Sequence, residues 1–428
     1  MSGGDDNGET LRIMEALLTA EVVNSNPDLD PDDLTPLHRE LFGVGTGSSE
    51  IKRPVNVSVG TIARVLHIDQ AYEKLRKNPF VGYEEFGQRL RITAIDPAAK
   101  WLLAKNGEPL IQKNPALARF YENFDSVKVS YARVRDANPR HEDTRAFLDG
   151  RVAKAISEQE SLRNALDLLI LWAPDEIEVK FEDLVTNERQ AAILTKVETA
   201  LKNRALFQKH RIYETGKLLF VGPPGTGKTS FALAISHKLH MPVLEVRLSM
   251  VTSQYLGETS KNIDRVFEFA KKLAPCILFI DEFDYVAKSR VTDDHGAMKR
   301  AVNMLLKNID RISLIRDGVL LIGATNHPQL LDEAAWRRFD EVVEFVLPDL
   351  RMRRAILQSV LQTFTLDTDL DKIAEETEGF SGSDIRILVK EALISALVQN
   401  RDNITACDID AGIDLVLQRN SLKSSRWV

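Results

Sequence analysis

The segment Gly222-Pro-Pro-Gly-Thr-Gly-Lys228-Thr229 constrains this chain more than any other eight residues. It follows an apolar, strand-like run, Lys217–Val221, and it precedes Ser230-Phe-Ala-Leu-Ala-Ile235, which reads as a helix. Gly222, Gly225 and Gly227 let the backbone curl until successive N–H groups face one concavity suited to phosphate oxygens. Pro223, Pro224 and Thr226 fill the loop between them, and Ser230 belongs to the first helical turn. Lys228 adds a cation for the terminal phosphates, and the Thr229 hydroxyl suits Mg²⁺. The positive end of the helix dipole faces the same anion. A surface glycine turn would explain neither the lysine nor the flanking strand and helix. The loop points to a nucleoside triphosphate.

At 428 residues the chain has room for two or three domains, and 28% charged with 44% hydrophobic residues is an ordinary globular composition. A formal net charge of −7 argues against a general nucleic-acid binder, because no basic excess exists to neutralise phosphates. Cys276 and Cys407 are far apart and lack metal-ligand spacing, which fits a reducing compartment. Apolar runs such as Leu168–Ala173 fall far short of a membrane span, and the opening Met1–Thr10 is acidic and polar rather than a signal sequence. These features predict a cytoplasmic protein with no membrane segment.

Residues Met1–Thr10 read as disordered, Leu11–Val23 as one short amphipathic helix, and Ser25–Glu50 as loop, giving an acidic, partly disordered segment over 1–50. From 51 to 174 a separate mixed α+β domain is expected, with β-like pieces at Asn56–Ile62 and Gln88–Ile95. Its end, Arg151–Trp172, has helical apolar spacing suited to a connector or a short coiled-coil seam. Beyond Pro174 strands and helices alternate, the sign of a parallel sheet covered on both faces. Core strands are predicted at Lys217–Val221, Val243–Arg247, Cys276–Ile280, Val319–Ala324 and Val342–Val346, whose near-continuous apolar runs suit full burial. The sequence therefore predicts an α/β subdomain over 175–348 and an all-helical subdomain over 349–428.

Cys276–Ile280 ends in Asp281-Glu282, a buried strand delivering two carboxylates to the sheet edge where ligands bind. Asp281 is suited to hold Mg²⁺ through water, and Glu282 to polarise an attacking water. A solvated acidic turn is the plainer reading of the pair. Asn326 ends the next strand with a side chain that donates and accepts, so it can fix the same water. Arg337-Arg338 follows. Glu333 or Glu341 can pair with Arg337 locally, but such an exposed pair contributes at most about 1 kcal/mol. A guanidinium matches phosphate bidentately, and arginine from a neighbouring subunit can stabilise phosphoryl transfer.

The order of these motifs, followed by Gly379-Phe-Ser-Gly-Ser-Asp-Ile385, resembles the AAA ATPases of the AAA+ superfamily, in their substrate-remodelling clade, over about Glu176–Ile409. The resemblance implies a P-loop NTPase fold with a five-stranded parallel sheet and a C-terminal helical lid, ATP and Mg²⁺ as cofactors, and assembly into a homo-oligomer, commonly a hexamer. It makes Gly222–Thr229 the Walker A motif and Asp281-Glu282 the Walker B motif, with Thr229 and Asp281 at the metal and Glu282 as base. It makes Asn326 sensor 1, and Arg337 and Arg338 arginine fingers acting on the next subunit. Asp183, in Phe181-Glu-Asp183-Leu-Val185, matches the segment beside the adenine, and Gly382 and Ser383 match the lid turn of a clade without a sensor-2 arginine. Here the two arginines are contiguous, where many members separate them by Pro-Gly.

Ser253-Gln-Tyr255-Leu256-Gly257 resembles the family's first pore loop, whose aromatic–aliphatic tip would grip an extended protein substrate in a ring's channel. Both residues could instead be core. A second pore loop is expected in Val291–Met298, with His295 a polar loop residue. Three roles follow as expectations: a protein unfoldase or remodeller; an ATPase serving a protease partner, either a proteasome-like core or a subtilisin-like protease; and a nucleic-acid motor, which the net charge disfavours. The C-terminal Arg426-Trp427-Val428 matches the hydrophobic–Tyr–any docking tail of proteasome-activating ATPases poorly, and an untethered tail is its plainer reading.

Overall fold

The computed structural model describes residues 5–45, 50–124, 126–247, 259–284, 296–362, 365–366 and 369–424. The chain divides into two compact units, Met1–Val152 and Ala153–Val428.

In the first unit the opening residues do not form a separate acidic segment. A 21-residue helix, Asp5–Ser25, starts inside the stretch expected to be disordered. It is not amphipathic: Ile13, Met14, Ala16, Leu17, Leu18, Ala20, Val22 and Val23 are all buried, so apolar contacts surround it. Glu9 within the acidic opening forms an ion pair with Lys74. The expected loop 25–50 also holds structure. Asp30 caps a 3₁₀ turn, Pro31–Asp33, and Thr35 caps a helix, Pro36–Leu41. Asp30-Pro31 and Thr35-Pro36 are N-cap and first-turn residues, where proline's missing N–H costs nothing.

A three-stranded antiparallel sheet follows, β1 (Val57–Ser58), β2 (Val81–Glu84) and β3 (Arg89–Ile92), in the order β1-β3-β2. Only Val57 and Ser58 of the β-like piece 56–62 are strand, because the Ser58 side chain accepts from Thr61 N and starts the helix Val59–Leu66. Helices Ile95–Ala104 and Pro115–Tyr121 close the core around Leu102, Leu117 and Tyr121.

One polar cluster lies inside this core. Asn114 donates through Nδ2 to Glu15 Oε1 at 3.0 Å and to Thr19 Oγ1 at 2.9 Å. His38 Nε2 stands 3.9 Å from Glu15 Oε1, too far for a hydrogen bond, and its Nδ1 lies 2.7 Å from Thr35 Oγ1. Burial pushes the Glu15 carboxyl up to about 7 and the His38 imidazole down to about 4.

In the second unit, the expected helix Arg151–Trp172 is replaced by three pieces. A helix, Arg145–Glu158, crosses the division between the units; short turns, Glu160–Leu162 and Arg163–Leu166, follow; and Leu169–Trp172 is a strand, β4. The run Leu-Ile-Leu-Trp satisfies helical spacing equally well, and pairing with a neighbouring strand decides the outcome. The sheet is accordingly six-stranded and mixed rather than five-stranded and parallel. Its members are β4, β5 (Lys217–Val221), β6 (Val243–Val246), β7 (Cys276–Ile280), β8 (Val319–Thr325) and β9 (Glu341–Glu344), in the order β4-β6-β7-β8-β5-β9. β4 runs antiparallel to β6, with Leu169 opposite Val246 and Trp172 opposite Val243, and Trp172 Nε1 donates to Glu245 Oε2 at 3.1 Å. The other pairs are parallel.

β7 and β8 are buried at every position, as central strands covered on both faces must be. Phe220, Phe279 and Ile322 of the sheet share one core with Ile193 and Val197 of the helix Glu188–Lys202 and with Phe231 and Ile235 of the helix Lys228–Leu239. The C-terminal part is helical, with Leu357, Ile373, Phe380, Leu388 and Ile409 forming its own core. It is not helical throughout: β10 (Thr365–Leu366) and β11 (Asn403–Ile404) make a two-residue parallel pair.

The Glu15 cluster has a measurable pH signature. Glu15 stays protonated in the folded unit while an unfolded chain ionises it from about pH 4.5, so its contribution is full below that value and lost as pH rises to about 7. His38 has the opposite slope: neutral when folded, it contributes above about pH 6.5 and loses that contribution as pH falls to about 4. Over pH 4.5–6.5 the two slopes oppose. Glu15→Gln removes the falling slope. Urea unfolding across a pH series should show the variant gaining on the wild type from pH 4.5 to 7, by about 3 kcal/mol at most; a constant gap would be the contrary result.

Candidate nucleotide-binding site

Parallel pairing sets the site. β5 and β8 are in register with Val221 opposite Thr325, and β7 and β8 with Ile280 opposite Gly323. The residues that follow, Gly222, Asn326 and Asp281, therefore emerge at the same edge of the sheet. That edge borders a cavity of about 390 Å³ lined by Asp183, Pro224, Gly225, Thr226, Gly227, Lys228, Thr229, Ser230, Asp281, Asn326, Gly382 and Ser383, among others. Its size suits a nucleotide.

The loop leaves β5 through Gly222, whose φ is +150° and whose Cβ, if present, would lie 1.9 Å from the Phe345 carbonyl oxygen. Only glycine fits there. Gly225, with φ +79°, meets the lid: a Cβ would stand 2.6 Å from Ser381 Oγ and 2.9 Å from Ser383 Cβ. Lys228 opens the helix Lys228–Leu239, and its Nζ donates to the Gly222 and Pro223 carbonyls at 2.8 Å each. Gly222 and Pro223 thus shape the loop while the residues after them line the cavity. Burial lowers the Lys228 pKa and the charge of Asp281 works against that shift.

Thr229 Oγ1 donates to Asp281 Oδ2 at 3.3 Å, and Asp281 Oδ1 accepts from Glu282 N at 2.8 Å. A hydroxyl and a carboxylate side by side at a phosphate loop fit Mg²⁺, which keeps several waters and takes its other ligands from phosphate. Among the described residues no cluster of three metal-binding side chains exists, so the two could not form an all-protein cage.

Glu282 is exposed and does not line the cavity itself. Its φ of +49° is left-handed, uncommon for a residue with a Cβ, and it is held by Phe283 N donating to Ala324 O at 2.8 Å. Asn326 follows Thr325, whose buried hydroxyl donates to Asp284 Oδ1 at 3.0 Å. Asp183 lines the cavity while its carboxylate closes a 3₁₀ turn onto Lys180 N at 3.4 Å.

The lid closes the other side. Ser381 caps the helix Gly382–Val398 in a reciprocal box with Asp384, and Ser383 N donates to Gly225 O at 3.0 Å. The lid also brings Ile356, Ser359, Val360 and Arg386 to the cavity. None of these four belongs to a motif with a mechanism, so only folding of the lid reveals them.

Arg337 and Arg338 are not at this cavity. Arg337 is 74% exposed and pairs with Glu333 one turn earlier, whereas Arg338 is 24% exposed and tied inward. Arg338 Nε lies 3.2 Å from Asp310 Oδ1 and donates to Leu306 O at 3.3 Å. Tyr255, Leu256 and Gly257 lie outside the described residues, as do 291–295 of the expected second pore loop and Arg426-Trp427-Val428; residues 296–298 begin the helix Gly296–Arg311.

Residues 218–347 match the model of the ATPase family associated with various cellular activities (AAA), and residues 367–411 match that of the AAA+ lid domain. The chain is 33% identical to the uncharacterised AAA family ATPase y4kL of Sinorhizobium fredii, over 54% of this chain and 69% of that one. It is 33% identical to the proteasome-activating nucleotidase of Methanocaldococcus jannaschii, over 57% of this chain and 59% of that one. The chain spans less than two thirds of the length of that relative and of several others. The crystal structure of the FIGL-1 AAA domain matches with a TM-score of 0.50 and 26% identity, over 60% of this chain and 89% of that one.

The unequal settings of the two arginines imply unequal roles in folding. Arg337→Ala should leave unfolding stability within about 0.5 kcal/mol of wild type, since an exposed i,i+4 pair contributes little. Arg338→Ala should cost about 1–2 kcal/mol by freeing a part-buried carbonyl and the Asp310 carboxylate. Equal losses in chemical denaturation would contradict the assignment.

Proposed function

The chain belongs to the AAA family of ATPases, and from that premise we propose that it is one protomer of a homo-hexameric ring that hydrolyses ATP to remodel or thread protein substrates. The observation that carries this reading is the gathering of the phosphate loop, the Thr229–Asp281 pair, Asn326 and the lid turn on one cavity, while the exposed Arg337 stays away from it. An arginine that serves no purpose in its own site is suited to a neighbour's.

In this mechanism the loop N–H groups and Lys228 hold the phosphates, and Asp183 with Ile356 and Val360 flank the base and sugar. Thr229 and Asp281 are the residues that would hold Mg²⁺, which would supply charge neutralisation for the phosphates. Glu282 accepts a proton from the attacking water, and Asn326 orients that water. The water oxygen bonds to the γ-phosphorus, the bond to the bridging oxygen breaks, and ADP and phosphate leave. Arg337 of the adjoining copy stabilises the charge on the transferring group; Arg338, held by Asp310 and Leu306 O, serves as its anchor. The role of Tyr255 and Leu256 in gripping substrate rests on their sequence motif. Likeness to the proteasome-activating nucleotidase favours a second reading, in which the ring delivers its substrate to a protease.

Glu282→Gln should bind ATP with near wild-type affinity yet lose hydrolysis by at least about 100-fold, the scale of a general base. Arg337→Ala should lose a similar or larger factor in turnover with ATP affinity retained. Steady-state phosphate release and equilibrium ATP binding check both, and undiminished hydrolysis by either variant rejects the shared-site mechanism. Tyr255→Ala should hydrolyse ATP but fail to unfold a tagged substrate.

A further inference from the structure

We propose that Arg386 is a phosphate ligand carried by the lid, contacting the phosphates that ADP and ATP share. This rests on the nucleotide reading above and extends it to a residue in a lid turn whose family resemblance implies no arginine.

Arg386 lines the cavity, and with Lys228 it is one of two cations among the lining residues. Lys228 already donates to two loop carbonyls. Arg386 is exposed, and among the described residues it has no hydrogen-bond or ion-pair partner. Its own helix offers none: the positions three and four away are Ser383, Gly382, Val389 and Lys390, which include no carboxylate and one like charge. The two carboxylates of the lining are engaged elsewhere, Asp183 with Lys180 N and Asp281 with Thr229 and Glu282 N.

Helical side chains lean toward the N-terminus of their helix, so Arg386 leans toward the end of Gly382–Val398 that touches the loop. That contact is at Gly225, where Ser383 N donates to its carbonyl, three residues before Lys228. The guanidinium therefore approaches the middle of the phosphate cradle rather than its far end at Thr229, where a γ-phosphate and its metal would sit. Phosphates common to ADP and ATP are the anions within that reach, and the planar fork of arginine matches them with two N–H bonds. With Arg386 so engaged, bound nucleotide joins the lid to the loop by charge as well as by the Ser383–Gly225 hydrogen bond.

The test compares full-length wild type with Arg386→Ala, Arg386→Lys and Arg386→Glu, measuring ADP and ATP binding at two salt concentrations and melting without nucleotide. Arg386→Ala should weaken both nucleotides by roughly tenfold, the scale of one charge-assisted contact, and flatten the salt dependence. Arg386→Glu should weaken them further, and Arg386→Lys should recover only part of the loss, keeping the charge without the fork, with melting unchanged throughout. Wild-type affinity in Arg386→Glu overturns the proposal. So does equal weakening in the Ala and Lys variants accompanied by a lower melting temperature, which would make Arg386 a lid-packing residue. A wild type that binds neither nucleotide instead overturns the proposed function on which this inference stands.

Discussion

The register of three parallel strands is the constraint on which the site depends. With Val221 opposite Thr325 and Ile280 opposite Gly323, the phosphate loop, Asn326 and Asp281 arrive at one edge from segments as much as a hundred positions apart in sequence. A slip of one residue between β7 and β8 would turn every side chain of a strand to the opposite face and break a ladder buried on both sides. The cost of that rearrangement, in exposed apolar surface and unpaired backbone, keeps the edge aligned without help from any ligand. The close approach of Gly222 to the Phe345 carbonyl adds a second lock, since the loop has one path out of the sheet.

The lid completes the cavity through a small contact. Ser383 N reaches Gly225 O, and the glycine leaves space that a side chain would take from Ser381 and Ser383. The lid has its own core around Leu357, Ile373 and Leu388, so it can hold its internal shape while its edge meets the loop. Such an arrangement suits an energy-converting protein, because occupancy of the cavity and position of the lid are then linked variables.

The two adjacent arginines show how burial separates residues that look alike in sequence. Arg337 ends a short helix facing outward, while Arg338 turns back to Asp310 and the Leu306 carbonyl. The same principle acts inside the first unit, where burial raises the Glu15 carboxyl to about 7 and lowers the His38 imidazole to about 4, so between those values a carboxyl and an imidazole stand near each other largely without charge.

Gly222–Thr229, Asp281-Glu282 and Asn326 could be read from the chain because phosphate and metal chemistry demands particular side chains at short spacing, directly after strands whose apolar runs are long enough to recognise. The five strands those runs marked lie where expected to within a residue or two, since burial on both faces leaves an unambiguous pattern. Leu169–Trp172 was not legible as a strand, because an edge position is decided by its partner, here β6, and not by its own periodicity. The helix expected at Leu11–Val23 is present, but its start at Asp5 and its burial on all sides were not legible, because the apolar surround of Ile13 to Val23 comes from residues far along the chain. Ile356, Ser359, Val360 and Arg386 carry no local signature either; the folding of the lid alone sets them at the cavity. Sequence determined the chemistry that depends on neighbours in the chain, and tertiary structure decided whatever depends on neighbours in space.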